Sequence, residues 1–138
     1  MTNLEACIGL HALKKLDENK KKLAIIRDRY NEAFNLNNTS DYVYRLNIPM
    51  RMRRTSDDVT DIGEDRDLFR DYMKENDVDT SIHFKPIYRF KAYEGIWNPK
   101  DFPNTEKEWR ETVSIPFYPD LSHNDQEKVI KLVKQWKQ

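Results

Sequence analysis

Glycine is scarce in this chain, with only Gly9, Gly63 and Gly95 among 138 residues. Loops that cradle phosphate need clustered glycines so that backbone N–H groups can approach the ligand, and their absence excludes P-loop and dinucleotide-binding folds. Cysteine is scarcer still. Cys7 alone cannot build a disulfide framework, which fits a reducing compartment, so the expected location is the cytoplasm. No apolar run approaches the roughly 20 residues of a membrane span. No basic stretch followed by an apolar segment and a cleavage site opens the chain, so neither insertion nor secretion is expected.

Net charge is absent too. The 24 basic and 24 acidic side chains cancel, leaving no overall field to draw the protein to nucleic acid or an anionic membrane, and neither is an expected partner. His11, His83 and His123 form no H-x-x-x-H pair and have no close cysteine, so no metal site is expected. There is no G-x-S-x-G elbow, and Cys7 falls in a segment that reads as a structural helix; nucleophilic catalysis has no candidate.

Charge of both signs is abundant instead. The charged fraction of 35% exceeds the roughly 25% usual for soluble domains, and the mean hydropathy of -0.94 is low, which raises the question of disorder. Three Trp, seven Tyr and six Phe answer it, because their large buried areas can support a core. The expectation is one folded domain spanning residues 1–138, of class α+β, with a highly charged surface.

Thr2 and Glu5 form a T-x-x-E capping box, so a helix is expected to begin there. Leu4, Ile8, Leu13, Leu16, Leu23, Ile26, Tyr30 and Phe34 keep near-helical spacing to about Asn35, with a wet face supplied from Lys14 to Lys22. Gly9 inside this helix either permits close approach of another segment or is merely tolerated. Tyr42, Tyr44, Leu46 and Ile48 alternate as one face of a strand closed by Pro49. Residues 50–64 show no period, holding Arg51, Arg53 and Arg54 and then Asp57, Asp58 and Asp61, and read as a mobile loop. Leu68, Phe69, Tyr72 and Met73 mark a short helix ended by Asn76 or Asp77. Val78, Thr80, Ile82 and Phe84 alternate with Asp79, Ser81 and His83 as a second strand.

From Lys85 to Pro103 the chain is aromatic and irregular, a loop expected to be packed. Asn104 to Val113 reads as a brief helix. Ser114 to Pro119 reads as an edge strand or extended segment, since its prolines exclude a central strand. Ser122 with Asp125 caps a final helix striped by Val129, Ile130, Val133 and Trp136.

His83 is the best polar candidate, because alternation sends it to the face opposite Ile82 and Phe84 just before Pro86 turns the chain. A single strand histidine is also often just a hydrogen-bonded surface or core residue. Arg51, Arg53 and Arg54 either bind phosphate or are solvated and neutralised by the nearby aspartates. The aromatic loop either stacks on a planar ligand or packs against the sheet.

Three separated segments carry a more specific pattern. They are Met1 to Leu10, with Leu13-Lys14-Lys15-Leu16 and Tyr30; Thr80-Ser81-Ile82-His83-Phe84-Lys85-Pro86-Ile87; and Phe102-Pro103-Asn104-Thr105-Glu106 through Ser114-Ile115-Pro116-Phe117-Tyr118-Pro119-Asp120-Leu121 to the last helix. Together they resemble, in order and spacing, the C-terminal part of the DegT/DnrJ/StrS family of sugar aminotransferases. The second segment matches that family's s-x-H-[FY]-x-P-[IL] strand and turn, and the third its fP-x-[AT]-E and lSLP-[FL]-x-P-x-L runs.

That resemblance implies the small C-terminal domain of a fold-type I enzyme: a long N-terminal helix and a small, mostly antiparallel sheet covered by helices. Members use pyridoxal phosphate to move an amino group onto a keto sugar attached to a nucleotide, in polysaccharide or deoxyamino-sugar biosynthesis, and are homodimeric. Their Schiff-base lysine lies in a large N-terminal domain, and their G-Y-N-x-R motif directly precedes the helix that starts here at Met1-Thr2. The resemblance therefore implies no cofactor and no catalytic residue in this chain alone, pyridoxal phosphate in the complete enzyme, and the large domain or a second subunit as partner. His83, Tyr93 and Tyr88 are the implied substrate-binding residues for a nucleotide sugar, although many members carry a second histidine where Tyr88 stands. The expected function is that of a C-terminal domain inactive by itself; the alternative is a stand-alone binding or regulatory module derived from such a domain that binds a partner aminotransferase or a nucleotide sugar.

Overall fold

A computed structural model describes residues 2–49 and 64–136, so the expected 50–64 loop with Arg51, Arg53 and Arg54 lies almost wholly outside the described residues. The chain divides into two compact units, Met1–Tyr44 with Phe117–Gln138, and Arg45–Pro116.

In the first unit, helix α1 spans Asn3–Phe34. Its capping box forms as expected: Thr2 Oγ1 accepts from the Glu5 N–H at 3.3 Å and the Glu5 carboxylate accepts from the Thr2 N–H at 2.6 Å. At the other end Asn35 turns left-handed at φ 54°, and the Leu36 N–H reaches back to the Asn31 carbonyl at 3.0 Å. Asn31 then winds the asparagine-rich exit, its amide bonding both the N–H and the carbonyl of Asn38 and accepting from the Tyr44 hydroxyl at 2.9 Å. Helix α4, His123–Trp136, is capped by Ser122, whose Oγ accepts from the Asp125 N–H at 3.1 Å.

The two helices pack around Ile26, Tyr30, Val129 and Val133, all buried. Tyr30 stacks on Phe34 at 5.6 Å and meets Tyr44 at 4.9 Å, and Tyr44 meets Phe117 at 6.1 Å. A polar seam crosses this core: the Gln126 amide donates to the Ile26 carbonyl at 2.7 Å and accepts from Arg29 at 3.2 Å. The apolar stripe of α1 is only partly used. Leu4, Ile8, Leu13 and Leu16 are 71%, 62%, 65% and 45% exposed. Tyr42 also departs from its expected strand face and is exposed, because the Ser40 hydroxyl accepts from the N–H groups of Tyr42 and Val43 and folds them into a turn.

Strand β1, Tyr44–Asn47, buries Tyr44 and Leu46, and Ile48 just beyond it is buried too. It pairs with β2, Thr112–Ile115, in a two-stranded antiparallel sheet among the described residues. Helix α2, Glu64–Glu75, buries Phe69 and Met73. Asp77, left-handed at φ 57°, ends it: the Val78 N–H returns to the Met73 carbonyl at 2.9 Å, and the Asp77 N–H to that of Lys74 at 3.0 Å.

Two strand expectations need correction. Among the described residues, 78–84 make one bridge, in which Ser81 and Ser114 exchange both backbone bonds, and Phe84 at φ 39° breaks the alternation and lies 89% exposed. Ser114 to Pro119 reads in the sequence as an edge strand or extended segment, yet the strand is Thr112–Ile115 with β1 on one side and Ser81 on the other. Pro116 and Pro119 fall past its end, where they remove no ladder bond. Helix α3 precedes it directly, spanning Pro103–Glu111, and the aromatic segment before α3 is wound into short 3₁₀ turns at Ile87–Arg89, Lys91–Tyr93 and Pro99–Asp101.

Candidate functional site

Within the second unit a cleft of about 540 Å³ opens between the 83–90 segment, helix α3 and the two strands. His83, Pro86 and Phe90 form one wall, and Thr105, Glu108 and Trp109 the other, with Arg45 from β1 and Thr112 from β2. Helical spacing places Thr105, Glu108 and Trp109 on one face of α3. His83 enters because Ser81, two residues earlier, is fixed to Ser114, while the left-handed turn at Phe84 and then Pro86 carry the chain round.

His83 Nε2 is buried and has no hydrogen-bond partner among the described residues. An unpaired buried polar atom costs about 1–3 kcal/mol, so this nitrogen is available to a ligand hydroxyl or acceptor. The cleft therefore offers aromatic and aliphatic surface, the cations of Arg45 and Lys85, the Glu108 carboxylate and one unpaired imidazole nitrogen. Such a mixture binds and orients a polar ligand with a flat or apolar part.

Behind the cleft lies a compact polar cluster. Glu106, 7% exposed on α3, accepts from the Tyr88 hydroxyl at 3.0 Å, from Arg89 Nε at 2.8 Å and from Arg89 Nη2 at 2.6 Å. Arg110 Nη2 approaches at 3.4 Å, one turn further along the same helix. The Arg89 bonds above all hold the Glu106 carboxyl below its ordinary range, against the opposing effect of burial, while burial first and the bond to Glu106 second push the Tyr88 phenol up. The Arg89 guanidinium also lies over the Trp109 ring at 4.9 Å, and Arg66 approaches the same ring at 5.8 Å.

The three expected substrate-binding residues are thus separated. His83 lines the cleft. Tyr88 is buried, stacks on Phe102 at 4.8 Å and borders a second cleft of about 560 Å³ with Trp97. Tyr93 borders neither and lies 5.9 Å from Trp97. The aromatic loop is packed only in part, since Phe90 and Trp97 are nearly half exposed. Sequence reasoning missed the roles of Thr105, Glu106, Glu108 and Trp109. The signal available for Glu106 was its place in the fP-x-[AT]-E run, and for the others the period of α3.

The described residues do not fit pyridoxal phosphate by themselves. Lys85, the lysine on this cleft, is exposed with its ammonium 5.7 Å over the Phe90 ring, not enclosed as an imine-forming lysine is. The glycines among the described residues, Gly9 and Gly95, build no phosphate cradle.

Comparison with known proteins places this architecture. SpsC of Bacillus subtilis, a spore coat polysaccharide biosynthesis protein, is 28% identical over 97% of this chain and 36% of its own length. A dTDP-3-amino-3,6-dideoxy-alpha-D-galactopyranose transaminase from Aneurinibacillus thermoaerophilus is 32% identical over 53% of this chain and 20% of its own. Among solved structures, a putative sugar aminotransferase from Streptococcus pneumoniae superposes with a TM-score of 0.83 at 19% identity, over 99% of this chain and 35% of that one. PseC of Helicobacter pylori, an aminotransferase involved in pseudoaminic acid biosynthesis, gives 0.74 at 18%, over 93% and 35%. The chain spans about a third of the length of SpsC and of these two solved structures. The sequence profile of the DegT/DnrJ/EryC1/StrS aminotransferase family matches residues 1–134, and the chain belongs to that family.

Proposed function

We propose that this chain is the small C-terminal domain of a nucleotide-sugar aminotransferase serving polysaccharide or related deoxyamino-sugar biosynthesis, and that it is inactive alone. The observation that carries this reading is a cleft holding an unpaired His83 nitrogen in a chain that matches an aminotransferase family from residue 1 to 134 while spanning a third of its relatives. In the complete enzyme pyridoxal phosphate would supply the electron sink. This chain's part is to wall the sugar-nucleotide pocket, with His83 as a polar contact and Tyr88 and Tyr93 in the adjoining loop. The exposed Leu4, Ile8, Leu13 and Leu16 on α1 support a partner surface from the lysine-bearing domain or a second subunit. Dimerisation and a cytoplasmic setting belong to the same proposal.

The test is to purify the chain, look for pyridoxal absorbance and transaminase turnover, and repeat after adding a separately expressed lysine-bearing domain of a relative. Turnover only in the mixture is expected; absorbance and turnover without a partner would sink the reading. One observation favours the alternative of a stand-alone binding module: the described residues that line the cleft all fall within 45–116. Micromolar binding of a nucleotide sugar by calorimetry, with no other protein present, would support that alternative.

A further inference from the structure

The cleft's two facing walls are joined from behind by one carboxylate. Within the 86–90 turn the backbone bonds are all local, from Arg89 to Pro86 and from Phe90 to Ile87. Among the described residues, the hydrogen bonds from this turn to α3 all end on Glu106. Tyr88 and Arg89 sit in sequence between Pro86 and Phe90, which line one wall; Glu106 sits between Thr105 and Glu108, which line the other. Arg89 continues from Glu106 onto the Trp109 ring, so the cluster touches a wall side chain directly. A buried ion pair adds little net stability over an apolar replacement, and its stronger use is to fix geometry. The forked Arg89 contact does that well, because a planar guanidinium and a carboxylate meet in one orientation.

We propose that Glu106 is the positioning residue of this cleft: by gripping Tyr88 and Arg89 it sets the separation of the His83 and Trp109 walls and hence the fit of the ligand between them. The identity of that ligand as a nucleotide sugar rests on the function proposed above; the grip itself does not.

The experiment uses the whole 138-residue chain labelled with fluorotryptophan, its fluorine NMR lines for Trp97, Trp109 and Trp136 assigned by Trp→Phe substitution. Glu106→Gln and Glu106→Ala should move the Trp109 line and leave that of Trp136 in place. Arg89→Ala should move it too, and combining it with Glu106→Ala should add almost nothing, the mark of two groups acting as one. An unmoved Trp109 line in a folded Glu106 variant, or shifts that simply add, overturns the proposal. Should Glu106→Ala fail to fold, Glu106→Gln and Arg89→Ala alone and together carry the same decision. Titrating millimolar dTDP-glucose into wild type and Glu106→Gln then reads the fit, with an expected loss of about tenfold in affinity for the variant. Equal affinities overturn the proposal. A wild type that does not respond to dTDP-glucose counts against the ligand reading alone, the grip being decided by the Trp109 line.

Discussion

The two units solve the problem of holding a shape in different ways. In the first, regular helices supply the backbone bonds and a stack of rings, Phe34, Tyr30, Tyr44 and Phe117, fills the space between them. In the second, the stretch from His83 to Phe102 has, among the described residues, no regular partner for its backbone beyond short local turns, and side-chain charge does the tethering through Glu106, Arg89 and Tyr88. Burial of aromatic area tolerates changes of pH and salt, whereas a charge cluster is directional and conditional. The part of the molecule that lines a cleft is thus the part whose geometry depends on one ionised group.

The largest way to break this comparison is Tyr30→Ala. The ring is fully buried, and its loss should cost about 4 kcal/mol, seen as lost amide protection along residues 23–34 and 126–133 by hydrogen exchange. Matching loss throughout 64–116 would show that the units are not separable in energy.

A pH scan should divide the units in acid, while alkali reaches both, since the Tyr88 phenol of the second unit is pushed up as well. The Glu106 carboxyl is held below its ordinary value, chiefly by Arg89. Its contribution is therefore present above the unfolded value of about 4.3 and lost as pH falls through the lower folded one. Acid should loosen the Trp109 environment first. Tyr44, by contrast, is pushed up to about 12 by burial, so its contribution is complete below the unfolded phenol value of about 10 and lost as pH rises through about 12. Alkali should disturb the first unit's ring stack, read by near-ultraviolet circular dichroism. Simultaneous loss of both signals in acid would remove the distinction.

The smallest expected effect is shared. Asn35 in the first unit and Asp77 in the second both end a helix in the left-handed region, where glycine carries no Cβ penalty. Asn35→Gly and Asp77→Gly should each raise stability by about 0.5 kcal/mol in urea unfolding. Equal gains would place the units' difference in their tethering and not in how their helices stop.

What the sequence made legible follows the same line. Capping pairs such as Thr2 with Glu5 and Ser122 with Asp125 are local, so they could be read directly and formed as expected. The face of α4 was legible from its period, and the family from three motifs in order. Tyr42 and Phe84 were misplaced because alternation describes a strand only while a partner continues, and a Ser40 turn or a single Ser81 bridge ends it. For the site, His83 stood out in the sequence because alternation sends it to the polar face opposite Ile82 and Phe84, and the structure places it on the cleft. Glu106 was marked only by its place in the fP-x-[AT]-E run, because a glutamate on a polar helix looks solvated until the chain brings Arg89 and Tyr88 to it from 17 and 18 residues away.

The exposed beginning of α1 has a mechanical consequence. The helix is gripped by its buried residues at Ile26 and Tyr30, and from Leu4 to Leu23 it runs about 30 Å at 1.5 Å per residue. It is a cantilever with one clamped end. Gly9 is its soft point, since a Cβ there would meet nothing within 4 Å, so no close approach among the described residues accounts for it, and it costs about 1 kcal/mol relative to alanine. A load applied at Leu4 and Ile8 would bend the beam there before it levered the Tyr30 core.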